Sequence, residues 1–404
     1  MTTESIRSAG VTAPYAAPAA LDRVQSLSLI AGGVGTVLMV LGLFLSREYF
    51  FRAYLVGWLL WTGVSLGCLA IYMLHHMTRG GWGLVVRRVL EAAARTLPVL
   101  FVLSLPLFLF GMGYLYEWSH PEVVRGDEVL EHKAAYLNVP FFFVRLVIYF
   151  AIWYGFAWIL NRMSLRQDQA DDPGLTRRMQ LVAGPGLVGY CLCVTFAAVD
   201  WLMSLQPHWF STIFGVYMMG SQGLSALAFL IVVAVYLSRR EPMAGVIQPR
   251  HFHDWGKLLF AFVMLWAYFA FSQFLITWAG NLPEEISYYM PRMQGAWGFV
   301  ALALVVLQFV LPFGLLLSRD VKRNSGLLAF VALCIFAMRW LDLFWQVEPA
   351  FKERNLAMYW LYLAAPLAIG GLWVFFFVYE LKKRPLLPLH DPYLPEAIAH
   401  EQHH

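Results

Sequence analysis

Ten long apolar segments constrain this chain more than any other feature of its sequence. Each is about 20 residues long, which is the length that an α-helix needs to cross the hydrocarbon core of a membrane. They predict helices at 27–45, 53–74, 96–115, 141–160, 181–203, 213–237, 257–280, 296–317, 326–346 and 358–379. We therefore predict an all-α, polytopic membrane protein with about ten transmembrane helices.

Composition supports this class and excludes others. Only 13% of the 404 residues are charged and 60% are hydrophobic, whereas a soluble domain carries about 25% charged residues. No linker between the apolar segments is long enough for a sizeable soluble domain. A soluble enzyme, a nucleic-acid-binding protein and a disordered scaffold are therefore excluded.

The loops predict the orientation of the helices, because cytoplasmic loops are rich in Lys and Arg. One alternate set of loops and helix ends carries 20 of these residues and the other carries seven. This asymmetry places both termini in the cytoplasm. Residues 1–26 and 380–404 then form cytoplasmic tails around a ten-helix domain at 27–379, and we expect no signal peptide. The second tail is predicted to contain His400, His403 and His404.

A tandem repeat is visible within the ten segments. The fifth ends in the run from Asp200 to Pro207 and the ninth in the run from Asp342 to Pro349, and each run is Asp, six residues, then Pro. The repeats cover about 53–207 and 213–349. Four helices is an even number, so the copies are parallel, related by an axis along the membrane normal. This predicts two parallel four-helix bundles, helices 2–5 and 6–9, flanked by helices 1 and 10.

Four ionisable residues lie inside predicted helices: Arg145, Asp200, Arg339 and Asp342. Such groups cost roughly 2.5–3.5 kcal/mol each at the centre of a membrane, so they usually pair or act in function. Arg339 and Asp342 share one helical face, and Arg145 and Asp200 lie at similar depths on neighbouring antiparallel helices. Two interpretations remain open: the pairs hold the bundles together, or the acids take part in proton or quinol-linked chemistry.

Histidines mark the opposite end of the predicted helices. His75 and His76 end the second helix, and His253 and Asp254 precede the seventh. Histidine titrates near neutral pH, so His76, His253 and Asp254 are candidates for a proton entry point. The alternative is that they anchor the helices at the membrane interface.

Missing motifs limit the cofactors that this chain is expected to hold. No histidine lies in the middle of a predicted helix, so a b-type haem across a bundle is not expected. The sequence has no CxxCH motif. The four cysteines all lie in apolar segments, where free cysteine behaves as a small hydrophobic residue; they are Cys68, Cys191, Cys193 and Cys334. We predict a chain without its own haem, metal or iron–sulfur cluster.

Several stretches together resemble one family of respiratory subunits. They are 200–212, 251–260, 271–273, 281–285 and 342–345. The chain is similar, from about residue 25 to 385, to the F subunit of bacterial alternative complex III, a quinol:cytochrome c (or high-potential protein) oxidoreductase. The resemblance implies the NrfD-like (polysulfide-reductase) membrane fold, with two four-helix bundles plus flanking helices.

The resemblance also implies partners and a location. The partners are a longer NrfD-like C subunit, an iron–sulfur B subunit, the A and E cytochrome c subunits, small membrane subunits and a candidate terminal oxidase. The complex would lie in the bacterial cytoplasmic membrane. Haem c and iron–sulfur clusters would belong to the partners, and menaquinol would be oxidised on the C subunit. Proposals of proton conduction in the family carry over to Asp200 and Asp342, together with His253 and Asp254.

Two other functions remain open on the sequence. Parallel repeats are also found in secondary transporters, and the chain would also suit a purely structural subunit. A transporter is disfavoured because the acids lie near the outer mouth and no helix has a clear Gly or Pro break at its centre, with Pro106 and Pro366 as mild exceptions. Whether the chain itself acts as an enzyme is left open.

Overall fold

The computed structural model describes residues 15–170, 172 and 174–398. This part of the chain contains ten apolar helices long enough to cross a membrane, which confirms the predicted fold class. In chain order they are α1 Ala20–Leu45, α2 Arg47–Thr78, α3 Arg87–Leu115, α4 Val139–Gln167, α5 Gly174–Trp201, α6 Phe214–Ser238, α7 Pro249–Gly280, α8 Ala296–Leu317, α9 Ser325–Val347 and α10 Leu361–Lys382.

Most helices are longer than the apolar windows that predict them. Helix α2 begins at Arg47 instead of residue 53, and α7 begins at Pro249 instead of residue 257. Proline is favoured in the first turn of a helix, because its missing N–H would have no partner there. Hydropathy alone misses these ends, since polar residues continue a helix into the interface without raising its hydropathy. Helix α3 is interrupted at Arg95 and Thr96, because Pro98 has no N–H to donate to the carbonyl four residues earlier.

The helices form two four-membered rings, as the repeat predicts. In the first bundle α2 packs on α3, α3 on α4, α4 on α5, and α5 closes the ring on α2. In the second bundle α6, α7, α8 and α9 pack in the same order. The bundles meet where α2 packs on α6, and the flanking contacts of α5 with α6 and of α9 with α2 correspond to each other. This arrangement is that of parallel repeats.

Helices α1 and α10 lie together beside α2. Small residues allow their backbones to approach closely. A Cβ atom added at Gly371 would lie 2.3 Å from the Cα of Gly32, and one added at Gly35 would lie 2.4 Å from the amide nitrogen of Ala368. Any larger residue at Gly371 or Gly35 would therefore push the two helices apart.

Charged side chains are unequally divided between the two ends of the helices. We call the end that carries Arg87, Arg240, Lys322 and Lys382 the basic end. The opposite end carries the Asp-to-Pro runs of both repeats. The name refers to one end of the molecule and does not assign that end to a side of the membrane.

The C-terminal residues differ from the tail that the sequence predicts. Helix α10 extends to Lys382, and residues 384–398 lie across the basic end. Leu386 and Leu387 are buried there, and Arg87 Nη1 lies 2.7 Å from Asp391 Oδ2. Apolar burial and this pair hold a segment that composition alone suggests to be a tail.

The N-terminal tail is also shorter than predicted, because helix α1 already begins at Ala20. Residues 1–14 of that tail lie outside the described residues. So do residues 399–404, with His400, His403 and His404.

Candidate functional site: two buried carboxylates and a lateral cavity

Asp200 on α5 forms the predicted pair with Arg145 on α4. Arg145 Nε donates to Asp200 Oδ2 at 2.8 Å and Nη2 donates to Oδ1 at 2.9 Å. Tyr149, one turn further along α4, donates to Asp200 Oδ2 at 2.8 Å. Asp200 is fully buried and Arg145 nearly so. Three donors therefore satisfy this carboxylate, and its charge is balanced by a bidentate guanidinium, the strongest common form of such a pair.

The remaining face of Arg145 is also occupied. Its Nη1 donates to the carbonyl of Tyr136 at 2.8 Å. The rings of Tyr136 and Phe141 lie 3.9 and 4.4 Å from the guanidinium carbon, which is close enough for cation–π attraction. The pair ties α4 to α5 and to the loop that precedes α4. The charged groups of Arg145 and Asp200 are therefore fully paired, whereas the buried hydroxyl of Tyr136 has no partner among the described residues.

Asp342 occupies the equivalent position in the second bundle. It pairs with Arg339 on its own helix α9, as the three-residue spacing predicts. Tyr217 on α6 donates to both carboxylate oxygens, at 2.8 and 2.9 Å, and Trp266 Nε1 on α7 lies 3.4 Å from Oδ2. Arg339 is held in turn by Ser225 Oγ at 3.4 Å. Asp342 thus joins three of the four helices of its bundle.

The second carboxylate differs from the first because it borders a cavity. Its volume is about 650 Å³, within the range of small-molecule sites. Helices α7 and α8 form most of the wall, and Tyr217, Asp342 and Trp345 complete the lining from α6 and α9. Asp200 does not line this cavity.

The cavity opens sideways between α7 and α8. Helix α7 packs on the second half of α8 and not on its start, so the two helices separate towards the opposite end. The side chains at this gap are well exposed, at 61% for Phe271, 58% for Leu302 and 52% for Val305. Both helices are apolar enough to span a membrane, so we expect the opening to face the acyl chains.

Several buried polar side chains line the cavity beside Asp342. Gln273 is 5% exposed; its side chain interacts with the phenol of Tyr289, and its Oε1 has no hydrogen-bond partner among the described residues. Tyr288 and Tyr289 lie in the loop before α8 and line the cavity. Burial raises the pKa of both phenols, so they stay protonated and able to donate.

Helix α8 is irregular where it borders the cavity. Residues Val305–Val310 form a π-helical turn, a feature that is frequent at functional sites. With its amide oxygen turned towards α7, Gln308 in this turn accepts from Trp266 Nε1 at 3.1 Å and donates to the carbonyl of Met338 at 3.2 Å. This turn therefore lies against the tryptophan that also contacts Asp342.

Aromatic side chains fill the interior of the first bundle next to Asp200. Trp58 packs edge-on against Phe108 and Trp201, with ring centroids 5.4 and 4.7 Å apart. Trp153 lies 6.0 Å from Trp201. The two bundles share a fold but differ beside the carboxylate: aromatic rings pack next to Asp200 in the first, and a cavity borders Asp342 in the second.

Small polar residues lie on α2 and α6, the two helices through which the bundles meet. Ser65 on α2 bonds to Thr96 at 2.8 Å. Thr62 on α2 and Ser221 on α6 are buried, and their hydroxyls have no partner in the described part of the chain. Ser225, one turn from Ser221, contacts Arg339. On α6, Ser225 therefore links the carbonyl of Ser221 to Arg339.

The sequence does not predict the buried ionic cluster that the structure shows at the basic end. It joins Arg87, Arg88 and Glu91 at the start of α3 to Asp168 and to Arg384. Burial raises the pKa of Asp168 in spite of Arg88, whereas burial lowers the pKa of Arg384. The spacing of two arginines three and four residues before a glutamate could have indicated the first part of this cluster.

Two further buried arginines were also missed at the opposite end. Arg292 donates to Gln206 Oε1 at 2.8 Å and to the carbonyl of Gln346 at 2.6 Å, so it joins the ends of both repeats. Arg52 lies 3.9 Å from Glu348. In the sequence both arginines lie near the ends of predicted helices. Charged residues are expected there, at the membrane interface, so nothing marks these two as buried.

The structure does not bring the predicted histidines to the carboxylates. His76 is buried and contacts the ring of Tyr72, which donates to Glu91 at 3.1 Å. His253 is half-buried at the start of α7, and Asp254 forms an exposed pair with Lys257 at 3.2 Å. None of these contacts reaches Asp200 or Asp342. His76 belongs to the basic-end cluster, and His253 and Asp254 belong to the surface of that end.

Within residues 15–170, 172 and 174–398, no group of three or more His, Cys, Asp or Glu side chains is placed to hold a metal ion.

Comparison with known proteins identifies no family: no protein-family model and no curated protein matches this chain. What is established is a multi-pass helical membrane protein with two four-helix bundles, each containing one buried carboxylate that is paired with arginine.

Proposed function

We propose that this chain is a membrane subunit of a bacterial respiratory quinol:cytochrome c oxidoreductase of the alternative complex III type. It would hold no redox cofactor itself and would support menaquinol oxidation by its partners. Those partners are the NrfD-like C subunit, the iron–sulfur B subunit, the A and E cytochromes c and small membrane subunits, with a terminal oxidase as a further candidate. It would lie in the cytoplasmic membrane, with both termini and the basic end in the cytoplasm.

We further propose that Asp342, and not Asp200, takes part in proton transfer. The observation that carries this proposal is that Asp342 borders a cavity, whereas Asp200 is closed in by Arg145 and Tyr149. A group that exchanges protons needs a route to a donor and an acceptor. Ser221 and Ser225 lie one turn apart on α6, and Ser225 contacts Arg339, the partner of Asp342. Asp200 would then be structural.

Two measurements test the proposed function. Extraction of the native membrane with mild detergent, followed by affinity purification of this chain, should recover c-type haem and iron–sulfur absorbance in the same monodisperse particle. Recovery of the chain alone, with substrate-driven transport in vesicles, would instead favour a secondary transporter.

The second measurement uses Asp342→Asn in the complex. We expect a lower yield of complex, because Arg339 loses its buried counter-charge. Per assembled complex, we expect a reduced proton uptake linked to quinol oxidation in vesicles, because an amide does not exchange a proton near neutral pH. Glu122→Gln, which changes an exposed carboxylate in the loop after α3, is the matched control. Unchanged proton uptake in Asp342→Asn would remove the proposed role.

A further inference from the structure

Four exposed arginines lie on the hairpin that connects α4 to α5 at the basic end, and we call them the hairpin arginines. Arg162 and Arg166 lie near the end of α4, and Arg177 and Arg178 lie near the start of α5. Arg162 and Arg166 are four residues apart, so they share one face of their helix. One hairpin therefore presents four guanidinium groups to its surroundings.

Buried contacts hold the two helix ends side by side. Gln167 Nε2 on α4 donates to Thr176 Oγ1 on α5 at 2.8 Å. Gln167 Oε1 and Met179 Sδ both approach Arg87 Nη2, at 2.9 and 3.8 Å. The hairpin arginines are therefore carried by a fixed piece of structure.

Within the described part of the chain, no acidic side chain forms an ion pair with the hairpin arginines. Asp168, which follows α4, pairs with the buried Arg88. Asp172 Oδ1 accepts from the backbone N–H of Gly174 at 2.8 Å. The described acids of the hairpin are thus engaged elsewhere, and the positive charge of the four arginines is left for a ligand.

The exposed lysines of the basic end differ from the hairpin arginines because they are paired. Lys257 lies 3.2 Å from Asp254, and Lys383 lies 2.6 Å from Glu380. Other exposed arginines without an ion pair among the described residues are spread over three places in the chain: Arg23, Arg239, Arg319 and Arg323. The α4–α5 hairpin is therefore a local concentration of unpaired positive charge.

Helices α4 and α5 touch along a line beside which the surface is open. A Cβ atom added at Gly189 on α5 would lie 3.3 Å from Phe156 Cε2 and 3.4 Å from Ile152 Cγ2 on α4. A Cβ atom added at Gly155 would meet nothing within 4 Å. A furrow therefore runs between the two helices on the side away from the buried Asp200.

The α4 side of this furrow leads from charged to apolar residues. Arg166, Arg162, Ile159 and Gly155 follow one another at spacings of three and four, which places them on one helical face. The guanidinium carbon of Arg162 lies 5.2 Å from the centre of the Trp158 ring. Tryptophan is enriched at the membrane interface, so the arginines lie at the depth of lipid headgroups.

The α5 side of the furrow repeats this order. Arg178, Leu181, Pro185, Val188 and Leu192 follow one another at spacings of three and four. The three aliphatic side chains are 66%, 61% and 57% exposed, in the same order. Charged residues thus lie at one end of the furrow on both helices, and apolar residues continue it along the span.

An amphiphile with an anionic head suits this surface. Guanidinium groups bind phosphate through paired hydrogen bonds, and basic clusters at the end of a membrane helix attract anionic lipids. The ammonium of a zwitterionic head would be repelled by the remaining arginines, so a head with a net negative charge is favoured. A free phosphate ion would leave the apolar furrow unused.

We propose that the furrow between α4 and α5 binds one phospholipid with a net negative charge. Its phosphate contacts the hairpin arginines that border the furrow, and its acyl chains lie between Gly155 and Leu181. Arg177, further round α5, adds to the positive potential. This site is independent of the proposed function, so the two can fail separately.

The test is native mass spectrometry of the full-length chain, released from detergent in the presence of defined lipids. Palmitoyl-oleoyl phosphatidylglycerol is the anionic probe, and phosphatidylcholine with the same acyl chains is the zwitterionic one. The test variant combines Arg162→Gln, Arg166→Gln and Arg178→Gln. Its matched control removes the same charge from exposed positions elsewhere at the basic end and combines Arg23→Gln, Arg319→Gln and Arg323→Gln.

We expect the wild type and the matched control to retain one phosphatidylglycerol, with a preference of about tenfold over phosphatidylcholine. In the test variant we expect the affinity for phosphatidylglycerol to fall about tenfold or more and the preference to disappear. All substituted positions are exposed, and each variant is first shown to be monodisperse. Equal binding by the three proteins, or an equal loss in both variants, would overturn the proposal.

Gly155→Phe tests the furrow separately from the charge. The added ring occupies the open space and leaves all four arginines in place, and we expect retention of phosphatidylglycerol about tenfold weaker than in the wild type. Gly33→Phe on α1, where an added Cβ atom also meets nothing within 4 Å, is the matched control. Unchanged retention in Gly155→Phe, or displacement of the lipid by excess inorganic phosphate, would show a plain surface for anions or acidic proteins and would contradict the inference.

Discussion

Arg145 and Asp200 form a two-point ion pair between neighbouring helices, whereas the equivalent Asp342 pairs with Arg339 on its own helix. The first pair therefore holds α4 to α5, and the second leaves α9 free of a comparable tie to α8. This difference has a structural consequence. In the first bundle the ion pair joins α4 to α5 at the depth of the carboxylate, whereas α8 of the second bundle borders a cavity.

Asp200→Asn should destabilise the protein. The substitution leaves Arg145 buried without its counter-charge, and breaking a well-buried pair costs about 3–5 kcal/mol. We expect a lower thermal transition and a lower yield of purified chain, measured by size-exclusion fluorescence after heating.

The double variant Arg145→Gln with Asp200→Asn is the control, because removing both charges of a buried pair is often nearly neutral. It should recover most of the lost stability. A single variant as stable as the wild type would show that Asp200 has no structural role.

Asp391→Asn should release the C-terminal segment from the basic end. Arg87 and Asp391 are both buried and lie 2.7 Å apart, so the variant leaves Arg87 with a reduced set of acceptors. We expect faster proteolysis within residues 384–398, followed by mass spectrometry of the fragments. Glu396→Gln, an exposed change in the same segment, should leave the rate unchanged, and equal rates for the two variants would refute the contribution of the pair.

The orientation of the chain follows from the charge asymmetry and is open to direct measurement. In a background without the four native cysteines, Val129→Cys in the loop after α3 should react with an impermeant thiol reagent in whole cells. Gln169→Cys at the basic end should react only after the membrane is opened. The reverse pattern would place the basic end outside the cytoplasm.

The purified chain should show no absorbance from haem, flavin or an iron–sulfur cluster. Its four cysteines are separate and free, and the histidines in the described residues lie at helix ends or in loops. The measurement is an ultraviolet–visible spectrum of the chain after removal of its partners. A b-type haem spectrum in equal amount to the protein would contradict this prediction.

The sequence alone determines the architecture of the membrane domain. Ten apolar segments predict ten helices, because a backbone in a membrane must satisfy its hydrogen bonds within the helix. The matching runs at Asp200 and Asp342 predict two parallel bundles. The spacing of Arg339 and Asp342 predicts their pair, since residues three apart share one face of a helix.

Only the tertiary structure shows the features that depend on the packing of side chains. It shows that the Trp58, Trp153 and Trp201 side chains fill one bundle, whereas the other retains a cavity beside Asp342. It also docks residues 384–398 and collects Arg87, Arg88 and Glu91 into a buried cluster. Hydropathy and helical spacing describe one segment at a time. A cavity or an ionic cluster depends on side-chain volumes and charges from several helices at once, and only their packing fixes which of those side chains meet.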